Sequence, residues 1–449
     1  MMPLSLYNQL VHASRRLLQL DRPVLPRSDA QITAEQARNY RWNFTFNLLD
    51  GAFFWFGLSF ISDSTIVPLF ISKLTDSPLP LGIAAVISQA GWFLPQLFTA
   101  KDVERLARKK PVVVSLGFLL ERVPTWLSVA AAILAGRAPT LALVLFLLAF
   151  AWRGLGSGVV ATAWQDLIAR CFPVNRRGRF WGLASFVGTG AGTLGSVLSA
   201  WLLATFVFPT NFVYTFLVAA VFINLSWVFL AQTREPVQPV NVARQSNREF
   251  LFQLPELLRR DHNFRRFLIA RLLLALGEMG KGFITVAALR RWDVPDSMVG
   301  AYTAAALLGQ TGGNLAFGLL ADRFGHKLCL ELGALASLGA FALAWLSPIP
   351  QGYYAVFGLL GIASSAVVIS GILIVMEFCE PARRPTFTGL ANTGIGLAGT
   401  VGPLLGVWLA SLSYNGLFIL SAALNLAGLI AMRGWVREPR WIQRAQLEA

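Results

Sequence analysis

The chain of 449 residues is 55% hydrophobic and only 14% charged, with a mean hydropathy of +0.58, whereas a soluble domain carries about 25% charged residues. That balance excludes an ordinary soluble domain and describes a chain that crosses a membrane many times. The formal net charge of +15 would suggest nucleic acid in a soluble protein, but here the basic residues lie between apolar stretches, where they report topology and leave no nucleic-acid footprint.

Residues 1–42 read as a cytoplasmic N-terminal segment with amphipathic helices. Leu6, Leu10, Leu17 and Leu18 oppose Arg15 and Arg16 as on an interfacial helix, and Thr33-Ala34-Glu35-Gln36 reads as a capping box. A disordered tail is the alternative for both. No signal peptide is expected, because no uninterrupted apolar core with a small-residue cleavage site precedes the first span.

About 20 apolar residues cross a bilayer as a helix, and twelve segments qualify: 43–69, 80–99, 112–135, 140–162, 180–205, 211–231, 267–289, 298–320, 328–347, 352–376, 387–411 and 414–433. Six form an N-terminal bundle over 43–231 and six a C-terminal bundle over 267–433. Between them lies a polar cytoplasmic loop, 232–266, with a surface helix expected from Glu249 to Arg260; a tail, 434–449, follows. The termini and even-numbered connections hold 30 Lys and Arg residues against 4 in the odd-numbered ones. This bias places both termini and the central loop in the cytoplasm of a multi-pass protein of the cell membrane.

The two bundles share a sequence. Gly182 to Leu202 and Gly389 to Leu409 align without a gap at 10 of 21 positions, and each follows a Cys and an Arg pair: Cys171 with Arg176-Arg177, and Cys379 with Arg383-Arg384. Both copies are rich in small residues, the composition that lets helices pack closely in lipid. Cys171, Cys329 and Cys379 are isolated thiols without metal-ligand spacing, so neither a disulfide framework nor a zinc site is expected.

Between spans eight and nine stands Gly318-Leu319-Leu320-Ala321-Asp322-Arg323-Phe324-Gly325-His326-Lys327. It resembles the G-x-x-x-D-R-x-G-R-K loop of the major facilitator superfamily, with His326 in place of an Arg. Ala100 to Lys109, between spans two and three, is a weaker copy in which Ala100 and Ala107 replace the glycines, and Glu104, followed by Arg105, replaces the aspartate. The resemblance implies an all-α membrane protein of 12 transmembrane helices in two pseudo-symmetric six-helix bundles, with no cofactor. It also implies a cytoplasmic latch: Gly318 admits a close neighbour, Asp322 caps or pairs with a cationic helix end, and Arg323, Gly325 and Lys327 complete the loop. The positive-inside bias alone accounts for Lys327 and Arg108 but predicts no acid at Asp322.

Ionisable groups at membrane depth cost several kcal/mol unless paired or facing water. They are Asp50 in span one, Arg153 in span four, and Glu278 with Lys281 in span seven, spans that line the central cavity in the family the chain resembles. Trp55 and Trp152 are further cavity candidates. One reading is a polar constellation in which Asp50 or Glu278 exchanges a proton while Arg153 or Lys281 tunes it or binds an anion. The bland alternatives are a Glu278–Lys281 pair on one helix face and an Asp50–Arg153 pair. Arg153-Gly154-Leu155-Gly156-Ser157-Gly158 is similar in part to the R-x-x-Q-G motif of proton-coupled antiporters, and Gly402-Pro403-Leu404-Leu405-Gly406 to part of their span-five motif.

The function expected is secondary active transport of a small solute by alternating access, proton-coupled and compatible with efflux by antiport, in a monomer. No G-x-x-x-x-G-K-[ST] run offers an ATP site. The rivals are a transporter-like sensor or scaffold, and a membrane-embedded enzyme on lipid-linked substrates, for which no H-E-x-x-H or D-x-D run is present.

Overall fold

A computed structural model describes residues 18–19, 24, 27–238, 258–371, 373–379 and 384–440. The expected interfacial helix over 3–20 and most of the surface helix over Glu249 to Arg260 lie outside these residues. The first span begins earlier than its apolar core. Its helix runs Asp29–Ser59, opened by a capping box in which Ser28 and Gln31 exchange bonds. The box therefore stands five residues before the one expected at Thr33, and one continuous helix replaces a short helix followed by a span. After a break the span resumes as Ile66–Leu74.

Spans two to six follow as Leu79–Glu104, Val112–Leu134, Pro139–Cys171, Val174–Thr205 and Thr210–Leu230. Spans seven to twelve are His262–Trp292, Asp296–Phe324, His326–Leu346, Gly352–Met376, Arg384–Leu412 and Tyr414–Trp435. Among the described residues, nine of these are apolar enough to cross a membrane by composition. Spans one, two and eight are equally long, but carry Asn43, Asn47 and Asp50, Gln89 and Gln96, and Gln310 and Asn314 respectively.

Small residues set the packing inside each bundle. A Cβ on Gly91 would come within 2.9 Å of the Gly154 backbone, and one on Gly156 or Gly158 would collide with Leu120 or with Gly91. The glycines of the Arg153 to Gly158 run are thus consumed by contact of span four with spans three and two, the close backbone approach that stabilises helices in lipid. In the other bundle a Cβ on Gly309 would strike Gly358, and one on Gly361 would strike Ala306, which seats span eight on span ten.

The two bundles meet through spans five and eight and through spans two and eleven, toward the face away from the termini, called distal here. Gly300 lies against Ala200, and Thr65 and Thr303 share a 2.6 Å hydrogen bond. Thr285 Oγ1 donates to the Ser64 carbonyl at 2.8 Å, and Lys73 pairs with Asp296 at 2.8 Å. The most central cross-bundle hydrogen bond among the described residues is Thr311 to Thr189, 2.7 Å.

Hydrophobic burial follows the same division. One core joins both bundles in the distal half, running through Phe60, Phe70, Phe146 and Phe216 to Phe283, Tyr302, Phe341 and Phe357. Toward the face bearing the termini, each bundle keeps a core of its own. Val113, Leu167, Phe172 and Phe180 form one; Phe264, Phe267, Leu274 and Phe387 form another. Among the described residues, the buried core is shared by both bundles distally and divided toward the termini.

Gly300→Val should wedge the distal junction between the bundles, because its first side-chain atom would sit 2.5 Å from Ala200 Cα, far inside contact distance. A cysteine at Thr303, buried in the wild type, should then react with an impermeant maleimide from the distal side. Unchanged labelling would show that the burial of Thr303 does not depend on this contact.

Candidate functional site

Asp50 is 8% exposed and faces spans three and six instead of span four. The charge opposite it is Arg122, with Ser226 alongside. It makes no ion pair among the described residues, and its Oδ1 has no hydrogen-bond partner. Arg122 is 3% exposed, bonds the Glu121 carboxylate and lies 5.8 Å from the centre of the Phe54 ring. Both Glu121 and Arg122 sit in a π-helical turn, Phe118–Arg122, a wide turn of the kind often found at functional sites.

Arg153 lies over the Phe150 ring at 5.3 Å, and the opposite charge acting on it is Asp63 in the break of span one. Asp63 in turn accepts from Ser88 Oγ at 2.5 Å. The structure therefore does not bring Asp50 and Arg153 into a pair; Arg122 interacts with both. Trp55 packs on the small face of span five, where a Cβ on Gly188 would lie 2.6 Å from its ring. Trp152 is 39% exposed.

In the C-terminal bundle the α-helix of span seven tightens into a 3-10 segment, Glu278–Phe283. Glu278 accepts from Ser337 of span nine, and the cation acting with it is Arg271, two turns earlier. Arg271 is 7% exposed, its Nε is without a partner, and it forms no ion pair among the described residues. Glu278 and Lys281 do not pair either. Lys281 is half-buried and has no hydrogen bond or ion pair among the described residues. Of the span-ten serines, Ser365 bonds the Ile362 carbonyl and Ser370 bonds His326, so both are occupied within their own bundle.

The loops on the face bearing the termini form two matching clamps. Asn43 brackets the Arg234 backbone with two bonds, 2.8 and 2.9 Å, and Asn263 brackets the Arg437 backbone with two, 2.9 and 3.0 Å. The next residue on each side is a half-buried glutamate. Glu235 accepts from the N–H groups of Lys109 and Lys110, and Glu438 from that of Lys327. Each carboxylate thus caps the start of the third helix of its bundle, where backbone donors are unpaired and the helix dipole favours negative charge. Burial pushes both carboxyls up from the ordinary glutamate range, against the pull of these N–H donors.

Within this frame Gly325 takes φ +92°, and a Cβ on it would lie 2.5 Å from Glu438 Oε2. Lys327 pairs with Glu331 at 3.1 Å, while Arg440 holds Glu377 at 2.8 Å and the Ala321 and Asp322 carbonyls at 3.1 and 3.2 Å. The expected Asp322 latch is not made in this conformation. Asp322 is exposed and without an ion pair among the described residues, and a Cβ on Gly318 would meet no neighbouring element within 4 Å. Arg323 rests on Phe324 at 5.5 Å, and Arg105 is exposed. The Glu104 side chain lies outside the described residues.

Glu438→Ala should therefore strand the Lys327 N–H and cost about 1–3 kcal/mol, whereas Glu438→Gln, which keeps an acceptor and sheds the half-buried charge, should melt near the wild type. Equal melting of both variants would show that the clamp carries no stability.

Sequence reasoning missed Glu121, Arg122 and Arg271 as site residues, although their charge inside apolar spans was visible. It also missed the clamps, whose signal is the repeated Asn-Phe at 43–44 and 263–264 and Arg-Glu-Pro at 234–236 and 437–439.

The Major Facilitator Superfamily model matches residues 51–291 and 267–446. A 4-hydroxybenzoate transporter, PcaK, of Acinetobacter baylyi is 30% identical over 141 residues, 31% of this chain and 31% of that protein. PcaK of Pseudomonas putida is 43% identical over 63 residues, 14% of each chain. The chain thus matches under a third of these curated relatives' length. A mutant form of the nucleoside transporter NupG superposes with a TM-score of 0.66 at 14% identity, covering 88% of this chain and all of that one. A D-xylose-proton symporter gives 0.62 at 14% identity, covering 88% and 98%. These two structures share the fold. The family model spans both bundles, and the chain belongs to the Major Facilitator Superfamily.

Proposed function

We propose that the protein is a secondary active transporter of the cell membrane, with both termini in the cytoplasm, that moves a small organic solute by alternating access and couples the movement to protons. The observation that carries the reading is the uneven core, shared by both bundles distally and divided toward the termini. With the orientation set by the basic loops, this is a cytoplasm-facing state. The free Asp322 fits it, since a latch that closes the cytoplasmic side is released when that side opens.

Asp50 supports proton coupling. It is a deep carboxylate with no ion pair and one oxygen without a hydrogen bond among the described residues, so a proton can discharge it. The 4-hydroxybenzoate of the curated relatives makes an organic acid the first solute to test. The purified chain in proteoliposomes should accumulate solute only with a proton gradient imposed; accumulation unaffected by collapsing the gradient would overturn the coupling.

A further inference from the structure

We propose that the solute is a small organic anion, a monocarboxylate, and that Lys281 holds its negative group. The inference rests on the transport reading above and deepens it.

The deep charges can be matched one by one. Arg122 bonds Glu121, Arg153 acts with Asp63, and Arg271 acts with Glu278, which Ser337 also holds. Asp50 faces the already compensated Arg122 in the interior of its own bundle. Lys281 has no ion pair and no hydrogen bond among the described residues and, unlike Arg122 and Arg271, is only half-buried. A lysine near the bilayer centre costs about 2.5–3.5 kcal/mol even on insertion scales, and a counter-charge brought by the cargo removes that cost during transport.

The position of Lys281 points the same way. It lies in the 3-10 segment of span seven, where the next residue, Gly282, comes within 3.5 Å of Ala85 in span two when given a Cβ. Its other neighbour, Gly280, meets Phe341 and Ser421 within its own bundle. The lysine thus belongs to the stretch of span seven that touches the opposite bundle, while Arg122 and Arg271 are spent inside theirs. A compact ammonium on a flexible stem suits a group that must grip an anion and release it.

The test is thermal stabilisation of the purified full chain by benzoate, 4-hydroxybenzoate and gluconate, each against its own amide. At least one carboxylate should raise the melting temperature while its amide does not. The shift should need about tenfold or more ligand in Lys281→Gln, the loss of one charge-assisted contact, and return in Lys281→Arg. Lys281→Gln must melt at the wild-type temperature without ligand; if it does not, the carboxylate-to-amide contrast in the wild type and its survival in Lys281→Arg decide. The inference fails if no carboxylate stabilises, if amides do as well, or if Lys281→Gln keeps the full shift. Binding of a carboxylate without gradient-driven uptake would overturn the proton coupling and leave Lys281 standing; uptake of amides alone would do the reverse.

Discussion

Asp50→Asn should abolish uphill accumulation and leave exchange of solute across the membrane intact. The Asp50 side chain is 8% exposed, lies between spans one, three and six, and has one oxygen without a hydrogen bond. Asparagine has nearly the same shape, so packing survives, but it can carry no proton. With one proton moved per solute, a gradient of one pH unit sustains about tenfold accumulation, about 1.4 kcal/mol. The variant should reach no more than equal concentrations on both sides, while counterflow of labelled solute proceeds near the wild-type rate. With a monocarboxylate on Lys281 and one proton on Asp50 the cycle moves no net charge, so accumulation should follow the pH gradient and ignore the membrane potential. An Asp50→Asn protein that still concentrates solute tenfold would remove Asp50 from the coupling.

How far the sequence foretold this molecule differs sharply between levels. The bundles were legible because apolar length is a strong local signal and because Gly182 to Leu202 repeats as Gly389 to Leu409. The presence of charged residues inside apolar spans was legible too, since it follows from position along a helix. Facing was not. Asp50 and Arg153 read at similar depth in the sequence, yet one helix turn is 3.6 residues, so a small rotation decides whether a side chain meets span three or span four. The π-helical turn at Phe118–Arg122 is such a rotation, and no period in the sequence announces it.

The capping box shows the same limit at smaller scale. Thr33 and Gln36 have the right spacing, but so do Ser28 and Gln31, and only the latter stand at a helix start. The clamps around Asn43 and Asn263 were missed for another reason. They join residues 191 and 174 positions apart, and a three-residue signature such as Arg-Glu-Pro is too short to stand out until the helices that converge on it are in place.

Arg122→Gln should be the most damaging single change in the N-terminal bundle. Removing one partner of a buried ion pair leaves the other charge uncompensated and costs about 3–5 kcal/mol. Here two carboxylates lose their cation, Glu121 by direct contact and Asp50 across a gap. The variant should express poorly and melt well below the wild type in detergent. Second-site neutralisation then separates the two carboxylates. Coulomb energy falls with distance, so Glu121→Gln added to Arg122→Gln should recover most of the lost stability, and Asp50→Asn added to Arg122→Gln should recover less. Transport distinguishes them in the opposite order: the first double variant keeps the Asp50 carboxyl and retains gradient-driven uptake, whereas the second has lost it. Better recovery of stability through Asp50 than through Glu121 would mean that Arg122 exists to hold Asp50, and that the contact with Glu121 is incidental.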